Sequence, residues 1–300
     1  MSGSARPYVD RPVGDVAAAD AFAATAAGQL GLSAPERLRV GMNALYRCGD
    51  VILRVGRPSA SGALAIELAH RLGELGISGP APATDDVVEA EGLVATCWRR
   101  IDPVDAPIDW VAIGTIVRRV HRLDPHDLPA GYPVPSPTTF PWWDFQAILA
   151  DVRDAIDPPA LVGIEREIEA HRDWVALVAT DAVVCHGDVH PGNVMMTATG
   201  PVLLDWDLIC HAHPGWDHAM LLTLAERWGG EPGVYPAFAA GYGCSLADDR
   251  AATTFARLRN VAATLMRVRA AITDHAVASE AERRLRFWRG DPDAPPWISQ

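Results

Sequence analysis

Residues 186–193 have the sequence HGDVHPGN, and twelve residues later the chain continues with DWD at 205–207. The two stretches place histidine, aspartate and asparagine side chains close together along the chain. Such a set could serve two kinds of chemistry. Imidazole and carboxylate groups bind metals that activate water for hydrolysis. Aspartate and asparagine also orient a hydroxyl group and hold magnesium against phosphates during phosphoryl transfer.

The hydrolytic hypothesis rests on His186, Asp188 and His190. These residues alternate, so an extended strand would present all three on one side as metal ligands. Pro191 and Gly192 break such a strand immediately, and no further histidine set at strand or helix spacing supports the site. A metal-dependent hydrolase is therefore the less favoured alternative.

The transfer hypothesis rests on the spacing of Asp188, Asn193 and Asp205. Protein kinases use H-R-D, four residues and an asparagine, with a later aspartate on the next hairpin. Asp188, four residues and Asn193 reproduce this spacing, and PVLLD predicts a strand that ends at Asp205. The pattern therefore favours phosphoryl transfer over hydrolysis.

With H-G-D for H-R-D and D-W-D for D-F-G, the stretch resembles the aminoglycoside phosphotransferase family, which includes choline-kinase-like and other small-molecule kinases. Three further segments are similar to this family: GMNALYR before DVILRV, the helix IVRRVHRLDP with its Leu-His-like ending and, loosely, HPGWDHAML after D-W-D. The similarity covers about residues 36–290. It implies a two-lobed protein-kinase-like fold and a Mg²⁺-dependent transfer of phosphate from ATP or GTP.

The resemblance also implies roles for the motif residues. Asp188 is expected to be the catalytic base, while Asn193 and Asp205 are expected to ligate Mg²⁺. His190 would contact the transferring phosphate or support the site. Supporting roles are expected for His186, Asp207 and Asp217, the last as the helix aspartate that holds the backbone of the catalytic loop.

Arg54 occupies the strand position where the family is expected to have a lysine against the nucleotide phosphates. Arginine is not equivalent to lysine at a tight site, which leaves open a pseudo-kinase that binds nucleotide without transfer. All 26 basic residues of this chain are arginines, however, and guanidinium suits phosphate. We therefore expect a working Arg54 with Glu67, on the following helix, as its ion-pair partner.

The remaining nucleotide contacts are expected from the main chain. The turn that contains Asn43 would cover the phosphates, although it has one glycine and is a weak motif. Adenine or guanine would dock on the hinge near Cys97, Trp98 and Arg99. Because main-chain groups recognise the base there, the side chains leave ATP and GTP open.

Hydrophobic periodicity predicts the elements that position these residues. Short apolar pieces between turn signals predict five antiparallel strands within residues 36–98, with a helix at 61–76 and another at 14–30. From about residue 104 the pattern is mostly helical, interrupted by short strands at VVCH, NVMM and PVLLDW. We expect an α+β fold with a small five-stranded N-terminal lobe, residues 1–100, and a larger mainly helical C-terminal lobe, residues 101–300.

Composition restricts the partners. A net charge of −12 argues against nucleic acid as a ligand and favours a cationic acceptor, such as an aminoglycoside or other antibiotic, or an amino-sugar or amino-alcohol metabolite. No apolar run of membrane-spanning length is present, and residues 1–15 lack a signal-peptide pattern. Five scattered cysteines argue against a disulfide framework. We expect a cytoplasmic monomer or homodimer.

Overall fold

The computed structural model describes residues 13–57 and 59–298. The expected lack of a signal peptide concerns residues that lie mostly outside these ranges. The chain forms two compact units, each discontinuous in sequence. The first contains the described residues up to Asp109 together with Leu123–Val134 and Val194–Leu208, and the second contains Trp110–Arg122, Pro135–Asn193 and the described residues from Ile209 onward.

The described residues form strands and helices whose bounds are as follows. The strands are β1 (Glu36–Val40), β2 (Ala44–Cys48), β3 (Val51–Gly56), β4 (Val88–Ala90), β5 (Leu93–Arg99), β6 (Val183–Cys185), β7 (Val194–Thr197), β8 (Gly200–Leu203) and β9 (Cys210–Ala212). The helices are α1 (Val16–Gln29), α2 (Gly62–Glu74), α3 (Trp110–Val120), α4 (Phe145–Val152), α5 (Pro158–Ala170), α6 (Trp174–Val178), α7 (Gly215–Arg227), α8 (Val234–Tyr242), α9 (Arg250–Thr273) and α10 (Ala278–Trp288).

The first unit is built on the predicted antiparallel sheet, with strand order β1-β2-β3-β5-β4. Leu53 and Val55 on β3 are fully buried, as is Ala95 on β5, and the alanine face of α1 packs in the same core. Helix α2 begins where the Ser61 hydroxyl accepts a hydrogen bond from the Leu64 N–H, which is the expected N-cap contact. The predicted five-stranded sheet and its crossing helix are confirmed.

The β7–β8 hairpin belongs to the first unit, although it follows residues 186–193 of the second unit in sequence. The Leu203 N–H donates to the Ser78 carbonyl at 3.1 Å. Gly79 lies against the indole of Trp206, where an added Cβ would be 3.1 Å from Nε1. The units therefore differ from the expected division into residues 1–100 and 101–300, because backbone pairing and packing connect residues more than 120 positions apart.

The second unit contains α3 to α10 and the short β6–β9 pair. Helices α3 and α8 pack closely because glycines lie at the contact. A Cβ on Gly114 would be 2.1 Å from the Phe238 carbonyl oxygen, and one on Gly241 would be 1.8 Å from that of Val111. Sequence analysis did not predict α8, whose Pro236 lies in the first turn, where a helix needs no N–H from it.

Aromatic side chains fill the interior of the second unit. The rings of Trp143 and Trp216 lie 4.3 Å apart between centroids, and Trp174 packs 5.1 Å from Trp143. All three are buried, so these tryptophans belong to the core. Within the described residues, no helix combines the length and apolar character needed to cross a bilayer.

Candidate active site

The loop after β6 is held by one buried carboxylate. Asp217, in the first turn of α7, is 1% exposed. Its Oδ2 accepts the N–H of His186 and its Oδ1 accepts the N–H of Gly187, both at 2.8 Å. The indole N–H of Trp216 donates to the Gly187 carbonyl at 3.2 Å. Gly187 has a φ of 92°, a conformation that favours glycine. Asp217 thus binds two successive N–H groups of this loop, and its supporting role in the site stays a prediction.

A buried histidine completes this anchor. His121, which follows α3, places Nε2 3.0 Å from Asp217 Oδ2 and Nδ1 2.9 Å from the Tyr242 hydroxyl. Burial acts to lower the pKa of His121, but Cys185 and Asp217 raise it, and the balance is a raised pKa. The pKa of Asp217 is lowered, because the contacts with His121 and the loop N–H groups outweigh burial. The pair is therefore an imidazolium–carboxylate brace for the loop after β6.

The predicted base and the predicted amide ligand lie side by side. Asn193 Nδ2 donates to the main-chain oxygen of Asp188 at 2.9 Å and to its Oδ2 at 3.1 Å. Asn193 is buried at 8% exposure and ends the short helical turn Pro191–Asn193. The amide oxygen Oδ1 is then the atom of Asn193 that could ligate a metal.

His190 turns back toward the same aspartate. Its Nε2 lies 3.3 Å from Asp188 Oδ2, and its Nδ1 accepts the Gly192 N–H at 3.1 Å. Because Nδ1 is an acceptor, the ring proton lies on Nε2 and points at the carboxylate. The His186 ring is similarly occupied, since its Nδ1 accepts the Asp188 N–H at 3.3 Å.

Arg259 on α9 is the partner that sequence analysis missed. Its guanidinium forms an ion pair with Asp188 Oδ1. Burial acts to raise the pKa of Asp188, but His190 and Arg259 together lower it well below the ordinary value. Asp188 is therefore an ionised acceptor at neutral pH, as a base that orients a hydroxyl requires. No local signal marks Arg259, because α9 carries several arginines at similar spacing.

A second cluster of charges lies within the first unit. Arg54 on β3 forms an ion pair with Asp207 Oδ2 and lies 3.9 Å from Asp205 Oδ1. Asn43 Nδ2 also approaches Asp207 Oδ2, at 3.4 Å. Asp205 has a φ of 60°, a left-handed conformation that aspartate tolerates better than most residues. The chain thus turns sharply at the predicted metal ligand, two residues after the end of β8.

Tyr132 lies near this cluster and was also missed. Burial and the neighbouring carboxylate of Asp207 raise its pKa, so its hydroxyl stays protonated. The segment that carries it, Leu123–Val134, belongs to the first unit although it follows α3 in sequence. Its proline-dense composition predicted only a connection.

One of the predicted nucleotide contacts, the ion pair of Arg54 with Glu67, differs from the ion pairs observed. Glu67 is exposed on α2, and the ion pairs of Arg54 are with Asp207 and Asp205. At the hinge, the Cys97 carbonyl accepts the Ala83 N–H at 2.9 Å and the Arg99 N–H donates to the Ala81 carbonyl at 2.8 Å. The predicted ion pair between Arg54 and Glu67 is not among these contacts. A base site at Cys97, Trp98 and Arg99 stays a prediction.

The residues of the hydrolytic hypothesis do not form a metal cluster. Over the described residues, the one group of His, Cys, Asp or Glu with ligand atoms within 4.8 Å of one another is His121, Cys185 and Asp217. That group is fully buried and is hydrogen-bonded within the loop anchor. The geometry gives no support to a site at His186, Asp188 and His190.

The model of the phosphotransferase enzyme family, APH, matches residues 39–259, which is most of the chain. The chain therefore belongs to this family, and it has the kinase-like α+β fold that the resemblance implied. A search of curated protein sequences finds no match.

Solved structures of small-molecule kinases are similar to this chain at low identity. The amicoumacin kinase complex with AMP-PNP, Ca²⁺ and Ami is 14% identical, with coverage of 88% of this chain and 90% of that one and a TM-score of 0.65. The APH(2")-IIia complex with GDP and kanamycin is 15% identical, with coverage of 87% and 94% and a TM-score of 0.63. A choline/ethanolamine kinase family protein from Mesorhizobium loti is 18% identical, with coverage of 93% and 95% and a TM-score of 0.59.

Proposed function

We propose that this protein is a Mg²⁺-dependent phosphotransferase that moves the γ-phosphate of ATP or GTP to a hydroxyl group of a small molecule. The observation that carries the proposal is the environment of Asp188. Its carboxylate is ionised, fixed by Asn193 and Arg259, and located in a loop whose backbone Asp217 holds. A fixed carboxylate of this kind accepts the proton of an attacking hydroxyl.

The residues that the resemblance assigns to magnesium have donor groups of the right chemical type. Magnesium prefers hard oxygen ligands, and the amide oxygen of Asn193 and the carboxylate of Asp205 are each such a group. Bound magnesium would neutralise charge on the nucleotide phosphates. Arg54 would contribute a fixed positive charge toward the same phosphates, and Asp188 would orient the acceptor hydroxyl and receive its proton.

The acceptor is proposed to be a cationic, hydroxyl-bearing small molecule. The net charge of −12 attracts cations over distances of about a Debye length, and one structural neighbour was solved with kanamycin. Because Arg259 occupies one oxygen of Asp188, the cationic groups of the acceptor are expected to bind away from the base. Candidate acceptors are aminoglycosides, other antibiotics and amino-sugar or amino-alcohol metabolites.

An acceptor screen tests this proposal. The purified protein with Mg²⁺ and either ATP or GTP would be assayed for nucleoside diphosphate release against aminoglycosides, cationic peptide antibiotics, amino-sugars and choline-like alcohols. Release that depends on an acceptor, with a phosphorylated product in the mass spectrum, is the expected result. If only neutral or anionic alcohols react, the charge argument is wrong while phosphate transfer stands.

The second candidate is a protein that binds nucleotide without transferring phosphate. It is favoured by Arg54, which replaces the expected lysine and is engaged by Asp207. Both candidates predict that Mg²⁺ and nucleotide raise the melting temperature, because a ligand bound only to the native state stabilises it. Slow hydrolysis of ATP or GTP without acceptor, abolished in Asp188→Asn, supports the enzyme. Nucleotide binding with no hydrolysis and no acceptor turnover supports the binding protein.

A further inference from the structure

The face of α2 that lies against the sheet carries no carboxylate beside Arg54, where a helix glutamate was expected to form its ion pair. Gly62, Ala65 and Arg54 line one small cavity, together with Thr96 of β5. A Cβ on Gly62 would lie 2.5 Å from Val87 Cγ1, so this end of the helix packs tightly on its neighbours. A helix turns by 100° per residue, which places Glu67 roughly 140° around the axis from Gly62.

The carboxylate that meets Arg54 comes instead from the segment after β8. Asp207 Oδ2 accepts from Arg54 and from Asn43. The main-chain oxygen of Asp207 accepts the Ser59 hydroxyl at 3.3 Å, which fixes the backbone from which the side chain projects. Arg54 and Asp207 are 20% and 17% exposed, so solvent screens their attraction less than it screens a surface pair.

We propose that Asp207 is the positioning residue for Arg54 and orients its guanidinium toward the nucleotide phosphates in place of a helix glutamate. The inference rests on the proposed function in that Arg54 contacts those phosphates. A guanidinium has five N–H donors in a planar fork, so it can bind Asp207 through one edge and present the remaining donors to phosphate oxygens. A lysine ammonium has no such fork, which explains why arginine suits a partner placed here.

The test measures nucleotide binding rather than turnover. Binding of ADP and of GDP to the full chain would be measured by calorimetry with Mg²⁺ and again with EDTA. The variants are Asp207→Asn, Arg54→Met, the double variant and Glu67→Gln. Glu74→Gln is the matched control, because Glu74 is an exposed carboxylate of the same helix paired with Arg71.

Asp207→Asn and Arg54→Met are each expected to weaken binding about tenfold, and the double variant is expected to be no weaker than the worse single variant. The loss should appear with EDTA as well as with Mg²⁺, and Glu74→Gln should bind like the wild type. Wild-type affinity in Asp207→Asn, additive losses in the double variant, or a loss confined to Mg²⁺ would each overturn the inference. A larger loss of nucleotide affinity in Glu67→Gln than in Asp207→Asn would also overturn the inference.

Charge relocation gives a second measurement. Ala65→Glu, added to Asp207→Asn, supplies a carboxylate from α2 to the cavity that Arg54 lines, and it should restore part of the lost affinity. If Asp207→Asn does not fold, Asp207→Glu replaces it, and affinity nearer the wild type than that of Arg54→Met is expected. If the protein binds nucleotide but transfers no phosphate, the proposed function is refuted, while the comparison of nucleotide affinity among the variants still tests the role of Asp207. A wild-type protein that binds neither nucleotide would refute both.

Discussion

Two arginine–aspartate pairs, one in each unit, differ in their balance of charge. In the first unit, Arg54 meets two carboxylates, those of Asp207 and Asp205. In the second unit, Asp188 meets Arg259 and the imidazole of His190. The first cluster has more carboxylates than cationic groups, and the second does not. Excess carboxylate attracts a divalent cation, whereas a carboxylate held by donors is suited to act as a base.

The largest effect is expected at the base. Asp188→Asn keeps the shape of the side chain but removes the acceptor of the hydroxyl proton, so turnover should fall by about 10²–10⁴-fold. Nucleotide affinity should stay near that of the wild type, because the role proposed for Asp188 is toward the acceptor. Diphosphate release and calorimetry with ADP would be compared. Turnover at the wild-type rate would remove Asp188 from the mechanism.

A magnesium-specific effect is expected at the other cluster. Asp205→Asn removes one of the two carboxylates near Arg54, so nucleotide affinity in Mg²⁺ should fall about tenfold or more, as for a lost charged ligand. Affinity in EDTA should change little. A titration of Mg²⁺ at fixed ADP measures the difference. Equal losses with and without Mg²⁺ would mean that Asp205 does not hold the metal.

Removing Arg259 should destabilise the second unit. Arg259→Met leaves the Asp188 carboxylate with His190 and Asn193 but without its arginine, and loss of a charged partner from a partly buried carboxylate costs about 1–3 kcal/mol. Arg257 is exposed on the same helix, so Arg257→Met is the matched control and should stay within about 0.5 kcal/mol of the wild type. Urea unfolding measures both. Equal stability of the two variants would show that the pair contributes nothing.

A further effect is expected in the pH dependence of stability. The folded pKa of His121 is raised to about 10 from 6.5, so the brace contributes fully below pH 6.5. Its contribution is lost as the pH rises through the folded pKa. The free energy of unfolding should therefore decrease between these values, and the decrease should be shallower in His121→Gln. Urea unfolding from pH 6.5 to 9.5 provides the comparison, and parallel curves for the two proteins would contradict it.

The sequence by itself determined the features that depend on short spacing. Asp188 and Asn193 are five residues apart, and the short helical turn between them brings their side chains into contact. Short apolar pieces, alternating or continuous, likewise predicted the five-stranded sheet, because strands with buried faces require them. The strand predicted to end at Asp205 ends at Leu203. The family resemblance followed from these local patterns, and the match to the family model confirmed it.

Only the tertiary structure decided which charges meet. Arg259 lies 71 positions from Asp188, and Asp207 lies 153 positions from Arg54. Neither separation along the sequence produces a recognisable pattern, since many arginines and aspartates in the chain are equally suitable by type. The resemblance implied Glu67 as the partner because it lies on the helix after β3, but its position on α2 turns it to solvent. Helix phase and the packing of distant segments select ion-pair partners, because a charge pairs with the opposite charge that the folded backbone brings within reach.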